Sequence, residues 1–454
     1  MGQKRTPGLV KRGGIWHIDK QIRGKRLCES TGESRLDKAQ EYLARRIEEI
    51  RHAVIYGERP RRTWEEAAIK YLNENLSKAS IADDALHLKQ LHPFIGGLQL
   101  DQVHAGTLLS FTEARRGQGI KSKSINLALG VVRHILNLAA DEWIDGNGLT
   151  WLERAPKIKL LPVNDARAPY PLNWNEQDYL LRELPDYLGE MALFKVNTGT
   201  REQEVCQLQW DWEIEVPELN TSVFLIPPEM VKNREERLVT LNRIASSVIE
   251  KQRGKHPKYV FTHDDKPLQK MNGSTWRRKR LDAALALARD QKSCEFIKIT
   301  SSGRYESLEW SITAKRVGEE IPVSMAYSLD DLDEERRAKG LVPIKGDKRK
   351  DYDLKQILKY KALDRFFQRC WPEVHAFANV RVHDLKHTYG RRLRSAGVSF
   401  EDRQDLLGHK SGRITSHYSA AELKNLIEAA NRVCGQKSRK SPALVLLKKK
   451  TVSA

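Results

Sequence analysis

No stretch of this sequence approaches about 18 consecutive apolar residues, so no membrane-spanning helix is expected. Its first residues, Met1-Gly-Gln-Lys-Arg-Thr-Pro, lack an apolar segment, so no secretory signal is read there. Gly2 and Thr6 do fit the loose myristoylation pattern, but nothing else points to a membrane. Cysteine is scarce and scattered. Cys28, Cys206, Cys294, Cys370 and Cys434 contain no C-x-x-C pair, which excludes a zinc ribbon and a disulfide framework. An odd, dispersed set suits a reducing cytosol. There is no internal repeat, and no metal or cofactor is expected.

What the chain does have is length and positive charge. Its 454 residues are 40% hydrophobic and 31% charged, the balance of a globular protein of roughly two to four domains. The net charge is +19, and it is unevenly placed. Residues 1–62 carry a net +8, residues 63–160 are neutral, and residues 435–454 hold six Lys/Arg and no acid. Strong basicity in a soluble chain points to nucleic acid, with plain solubility as the alternative.

Hydrophobic periodicity divides the chain into three units. The stretch from Gly13 to Cys28 alternates, with turn residues at Gly13, Gly14 and Gly24, and reads as two or three short strands over 14–31. A helix follows from Asp37. The strands carry Lys20, Arg23, Lys25 and Arg26, and a small basic sheet of this kind can enter a DNA major groove. After a linker at Gly57–Arg62, Thr63 caps a helix with Glu66 three residues on, a capping-box pattern. Helical stretches near 84–91, 104–116 and 122–142 complete a bundle over 63–160. Pro156–Pro171 leads into a third unit of helices and a few strands. There Asn175 is placed to cap a helix, and Thr200 to cap a helix from Arg201 to Trp210. The runs at 223–228 and 237–241 read as strands joined by a polar turn at Lys232.

Three segments of the third unit can do chemistry. In Asn197-Thr-Gly-Thr-Arg-Glu-Gln-Glu, Arg201 falls in the first turn of the expected helix, where its guanidinium can fork onto a phosphate. Glu204 lies on the same face and can orient it. Lys232, at a hairpin tip, can donate a proton to a leaving alkoxide. The third segment is dense: Arg381-Val-His-Asp-Leu-Lys-His-Thr, then Leu406-Leu-Gly-His-Lys, then Thr415-Ser-His-Tyr-Ser. His383, Lys386 and His387 share a helix face, with His409 and Tyr418 beyond them. Taken singly, each of these residues has a plainer reading in packing or on the surface.

Taken jointly, they resemble the tyrosine recombinases, the phage-integrase family, whose constellation runs Arg, Lys, His-x-x-Arg, His or Trp, Tyr. Here the matching positions are Arg201, Lys232, His383, Lys386, His409 and Tyr418. The resemblance implies a multidomain fold: a small β-sheet plus helix arm module (1–56), an all-α core-binding bundle (63–160), and a mixed, mainly-α (α+β) catalytic domain (168–435) ahead of a basic tail (436–454). It implies a site-specific recombinase that cuts and rejoins DNA through a 3′-phosphotyrosyl link, integrating or excising a phage or mobile element. Tyr418 would be the nucleophile and His383 the general base. Arg201, Lys386 and His409 would hold the phosphate oxygens, Lys232 would be the acid, and Glu204 a support. The implied partners are double-stranded DNA with specific attachment sites, a homotetramer on that DNA and accessory DNA-bending or directionality proteins, in the cytoplasm at the nucleoid and with no membrane.

Two features depart from the family pattern. Lys386 stands where the family has a second arginine, giving a point charge in place of a fork. The stretch of about 285–377 is also unusually long, and reads as a surface elaboration. Three rivals stay open. One is a DNA-binding relative with weakened catalysis. Another is a type IB topoisomerase. The third is a zinc protease using His383 and His387, although its motif needs Glu where Asp384 stands.

Overall fold

The computed structural model describes residues 7–434 except 23–24, 53–55, 147, 305–306, 339–340, 342, 345–350 and 409–419. His409, Tyr418, Arg23 and the basic tail therefore lie outside the described residues, as does the side chain of Lys25. The chain forms two compact units, Met1–Arg167 and Ala168–Ala454. It is mixed helix and sheet, with three small antiparallel sheets of three strands each among its described residues. No described helix is long and apolar enough to cross a membrane.

The first unit opens with strands β1 (Leu9–Arg12), β2 (Ile15–Ile22) and β3 (Lys25–Ser30) in the order β1-β2-β3. The sheet thus starts earlier than the alternation at 14–31 indicated. Helix α1 (Leu36–Arg51) packs on it, and Leu9, Ile18, Ala39 and Leu43 make a small core. Lys20 is half-buried on β2. Arg26 on β3 is held by Asp19, with hydrogen bonds of 3.0 and 3.1 Å, so it is not a free cation.

Helices α2 (Trp64–Glu74), α3 (Ile81–Ile95), α4 (Leu109–Gly117) and α5 (Ser122–Asp141) bury a separate cluster that includes Trp64, Tyr71, Leu91, Phe111, Val132 and Ile135. The capping box at Thr63 forms as its sequence indicates: Thr63 Oγ1 accepts from Glu66 N at 3.1 Å, and Glu66 returns the bond at 2.9 Å.

The second unit carries the large core. Helix α6 (Trp174–Glu183) is capped by Asn173, not Asn175. The Asn173 side chain accepts from Glu176 N at 2.8 Å, and the Glu176 carboxylate closes the box at 2.9 Å. Helix α7 (Asp186–Thr198) ends at Gly199 in the left-handed region. Helix α8 is a single turn, Glu202–Cys206, with Arg201 as its N-cap. The expected helix to Trp210 stops early because Leu208 is drawn into the core and Gln209 pairs with Tyr259. Strands β4 (Glu213–Val216), β5 (Thr221–Ile226) and β6 (Arg237–Thr240) then form a meander. Helices α9 (Arg243–Gln252) and α10 (Ser274–Arg289) follow.

The long segment is not peripheral. Its strands β7 (Cys294–Ser302), β8 (Glu309–Arg316) and β9 (Val323–Ser328) precede helices α11 (Leu329–Ala338), α12 (Asp351–Cys370) and α13 (Pro372–Ala378). Ile297, Ile312, Tyr327, Leu358, Phe366 and Phe367 from this stretch are buried in the main core. The reading as a surface elaboration is therefore corrected: alternating apolar residues on β8 face inward and helix α12 covers them. The chain just beyond the segment is anchored as well, because Arg280 and Trp276 of α10 both donate to the Val380 carbonyl, each at 3.2 Å.

Helices α14 (Val382–Ser395), α15 (Phe400–Leu407) and α16 (Ala420–Asn431) close the unit. The start of the unit is tied to α14 over a long sequence separation. Tyr170 N donates to Asp384 at 3.1 Å, Leu172 N to Thr388 Oγ1 at 2.9 Å, and Arg392 to Gln177 at 2.7 Å.

Candidate active site

Four elements of the second unit converge: the turn between α7 and α8, the β5–β6 hairpin, helix α14 and the end of α15. Each is shaped by a local constraint. Gly199 has φ +64°, and a Cβ there would stand 2.7 Å from the Tyr389 ring, so both conformation and space demand glycine. Helix α15 ends at Gly408, also left-handed, with φ +57°. Helix α14 is started by Arg381 N donating to Asp384 at 2.8 Å, which commits Asp384 to the cap and sets the helix face beyond it.

Glu204 sits at the centre, with a side chain 1% exposed. It accepts from Arg201 Nη1 at 2.8 Å and from Arg201 N at 2.6 Å. Its other cationic partner is Arg237, itself buried. The second arm of Arg201 donates to Asn233 Oδ1 at 3.1 Å and to the Gly408 carbonyl at 3.0 Å. Arg201 thus gathers the hairpin and the end of α15 around one guanidinium, while its side chain keeps 23% of its surface open. Arg237 Nη2 donates to the Gly199 carbonyl at 3.1 Å. Lys386 donates to the Leu407 carbonyl, and Lys195 of α7 to the Thr200 carbonyl.

The electrostatic consequence is a crowd of buried basic groups that hold down one another's charge. Burial, then the charges of Arg237, Arg201 and Lys195, push the Lys386 ammonium down to about 6, with Glu204 opposing. Lys195 is brought down to about 7, chiefly by burial. Burial, followed by the charges of His387, Lys195 and Lys386, lowers His383 to about 4 against the pull of Asp384, so its ring is neutral at pH 7. Such a site is poised to receive an anion, because an incoming phosphate supplies the missing negative charge. A neutral imidazole beside it can accept a proton.

Of the residues singled out in the sequence, Arg201, Glu204, His383 and Lys386 come together here. Lys232 is exposed in the hairpin, next to Asn233, and has no partner among the described residues. The His383 and His387 rings meet edge to face with centroids 4.8 Å apart. No cluster of three metal-ligating side chains occurs among the described residues. A cavity of about 390 Å³ opens beside them, lined on its basic side by His383, Lys386, His387, Arg391, Arg394 and Arg403.

Two residues of the site escaped the sequence reading. Lys195 interrupts the apolar run Met191-Ala-Leu-Phe-Lys-Val, a signal that could have been used. Arg237 opens a strand after Glu235-Glu236 and reads as one more surface charge; only the fold buries it.

No family model matches the chain. It is 26% identical over 284 residues to the integrase of Salmonella phage P22, a match spanning 57% of this chain and 70% of that protein. Among solved structures it is similar to a lambda integrase dimer bound to a COC′ core site, at 12% identity, coverage of 95% and 98%, and a TM-score of 0.45. It is also similar to a Tn1549 transposon integrase in complex with circular intermediate DNA, at 14% identity, coverage of 79% and 98%, and a TM-score of 0.37.

Proposed function

We propose that this chain, whose resemblance to the phage integrases is borne out by its phage P22 relative, is a site-specific DNA recombinase acting through a covalent 3′-phosphotyrosyl intermediate. The observation that carries the reading is that Arg201, oriented by the buried Glu204 carboxylate and open on part of its surface, shares one site with neutral His383 and with Lys386, an amine whose charge is suppressed there, while Arg237 is committed to Glu204. An anionic ligand suits such a site, because it favours the charged form of the lysine beside it.

The chemistry then follows from the residues. The Tyr418 phenol attacks the scissile phosphorus and gives its proton to neutral His383. Arg201 forks onto the non-bridging oxygens, with Lys386 and His409 beside it, and stabilises the charge that builds there. Lys232 protonates the departing 5′ oxygen. One P–O bond forms as another breaks, so the bond energy is kept in the tyrosyl ester and no nucleotide cofactor is needed. A 5′ hydroxyl from a second strand reverses the step and joins new partners. In this reading residues 1–56 hold DNA at a distance and residues 63–160 grip the core site. Residues 168–435 catalyse, within a homotetramer.

The decisive experiment uses a duplex of the attachment sequence nicked near the cleavage point, so that the cut strand's end diffuses away and the adduct is trapped. Wild-type protein is expected to accumulate a denaturant-stable protein–DNA band, and Tyr418→Phe to give none. An adduct that persists in the phenylalanine variant would remove Tyr418 from its role. A second reading, a DNA-binding relative with slowed chemistry, is favoured by one observation: Lys386 makes a single bond to a backbone carbonyl where an arginine would fork. That reading predicts site-specific binding with no adduct.

Lys386 also sets a pH dependence. Free of DNA its amine titrates near 6; against a phosphodiester that value rises toward the ordinary lysine range. Binding therefore takes up a proton at neutral pH. Affinity for a short attachment-site duplex is expected to strengthen as pH falls from about 8 to about 6, by up to about tenfold per unit. Anisotropy titrations at constant ionic strength read this slope, and Lys386→Met is expected to flatten it.

A further inference from the structure

We infer that Arg237 is a positioning residue for strand cleavage: its buried guanidinium braces the Arg201 turn and Gly408, the residue joined to His409, into one unit. The inference rests on the recombinase reading and adds to it a residue that touches no DNA.

Arg237 is 3% exposed, and a guanidinium so deeply buried is costly unless its N–H groups are paired; here both terminal nitrogens are. One Nη is paired with Glu204, the carboxylate that orients Arg201 through both its side chain and its backbone N–H. The other Nη donates at 3.1 Å to the carbonyl of Gly199, the left-handed residue that turns the chain from α7 toward Arg201. Its Nε is buried with no hydrogen-bond partner, and Gly408 lies directly on it: a Cβ at that glycine would stand 2.6 Å from Nε. The Gly408 carbonyl in turn accepts from Arg201 at 3.0 Å. Arg201, Glu204, Arg237 and Gly408 therefore close a ring of contacts. Three sides of it are polar bonds, and the fourth is the packing of a glycine against a guanidinium.

A buried ion pair that serves stability alone would need only the Glu204 contact. The bond to Gly199 and the seat for Gly408 reach two other chain segments, separated by about 200 residues of sequence and both adjoining proposed catalytic residues. Fixing such segments in advance lowers the reorganisation needed at the transition state and does little for ground-state binding.

The test measures adduct formation on the nicked attachment-site duplex together with equilibrium binding of the same duplex. Arg237→Met is expected to slow cleavage at saturating DNA by about 100-fold while half-saturation stays within about threefold. Arg237→Lys keeps the charge but cannot reach Glu204 and Gly199 together, and is expected to recover about tenfold of that loss. Cleavage by Arg237→Met near the wild-type rate, or a parallel loss of rate and affinity, would overturn the inference. If Arg237→Met does not fold, Arg237→Lys decides: full wild-type rate means the fork has no positioning role. A wild-type protein that forms no adduct defeats the recombinase reading and this inference together, whereas an active wild type with unimpaired Arg237 variants defeats the inference alone.

Discussion

Arg201→Ala is expected to slow covalent adduct formation by about 10²–10³-fold, the usual consequence of removing one preorganised donor from a developing oxyanion. The loss falls on rate more than on affinity, because a long duplex is held by many other phosphate contacts. The reasoning is geometric. Of the cations in the site, Arg201 has its backbone N–H and one side-chain nitrogen fixed by Glu204, its second arm held by Asn233 and Gly408, and part of its surface still open. A group already fixed in place, with part of its surface still open, costs little entropy to use. Arg201→Lys restores charge without the fork and is expected to recover only a fraction of the rate. Single-turnover cleavage of the nicked duplex measures both variants.

The second large effect is on stability. Glu204→Ala leaves Arg237 buried with no counter-charge, a change expected to cost about 3–5 kcal/mol. For a domain of this size that lowers the melting temperature by about 10 °C. Burial raises the Glu204 carboxyl, but the charge of Arg237 and the bonds from Arg201 outweigh it, and the net shift is downward from the ordinary value of 4.5. A carboxyl whose folded pKa is depressed contributes stability above its unfolded pKa and loses it as pH falls through the folded one. The gap between wild type and Glu204→Ala is therefore widest at neutral pH and narrows below about 4.5. Thermal melts across pH 3 to 8 test this, and a gap that widens in acid would refute the assignment.

The parts of the fold legible in the sequence were those governed by local rules. The Thr63–Glu66 capping box is a contact between residues three apart, and it forms as read. The helix carrying His383 and Lys386 shows its period and places both side chains in the site. Where two residues competed for one local role, the reading slipped. Asn173 took the cap assigned to Asn175, since only Asn173 has a Glu three residues on to close the box. Arg201, and not Thr200, proved to be a cap, because Glu204 three residues on accepts from its backbone N–H. What no local rule could reveal was burial at a distance. Arg237 is neutralised by a carboxylate 33 residues earlier, and β7–β9 complete a core begun a hundred residues before them.

The bonds joining residues 170–177 to helix α14 span more than 200 residues of chain. At a synthesis rate of about 5–20 residues per second, the first of these partners waits about 10–40 s on the ribosome for the second. During that interval Arg201 and Glu204 exist, but the helix bearing His383 and Lys386 does not. The candidate site can assemble only once synthesis has passed α14, so in the recombinase reading a partly made chain carries no competent centre.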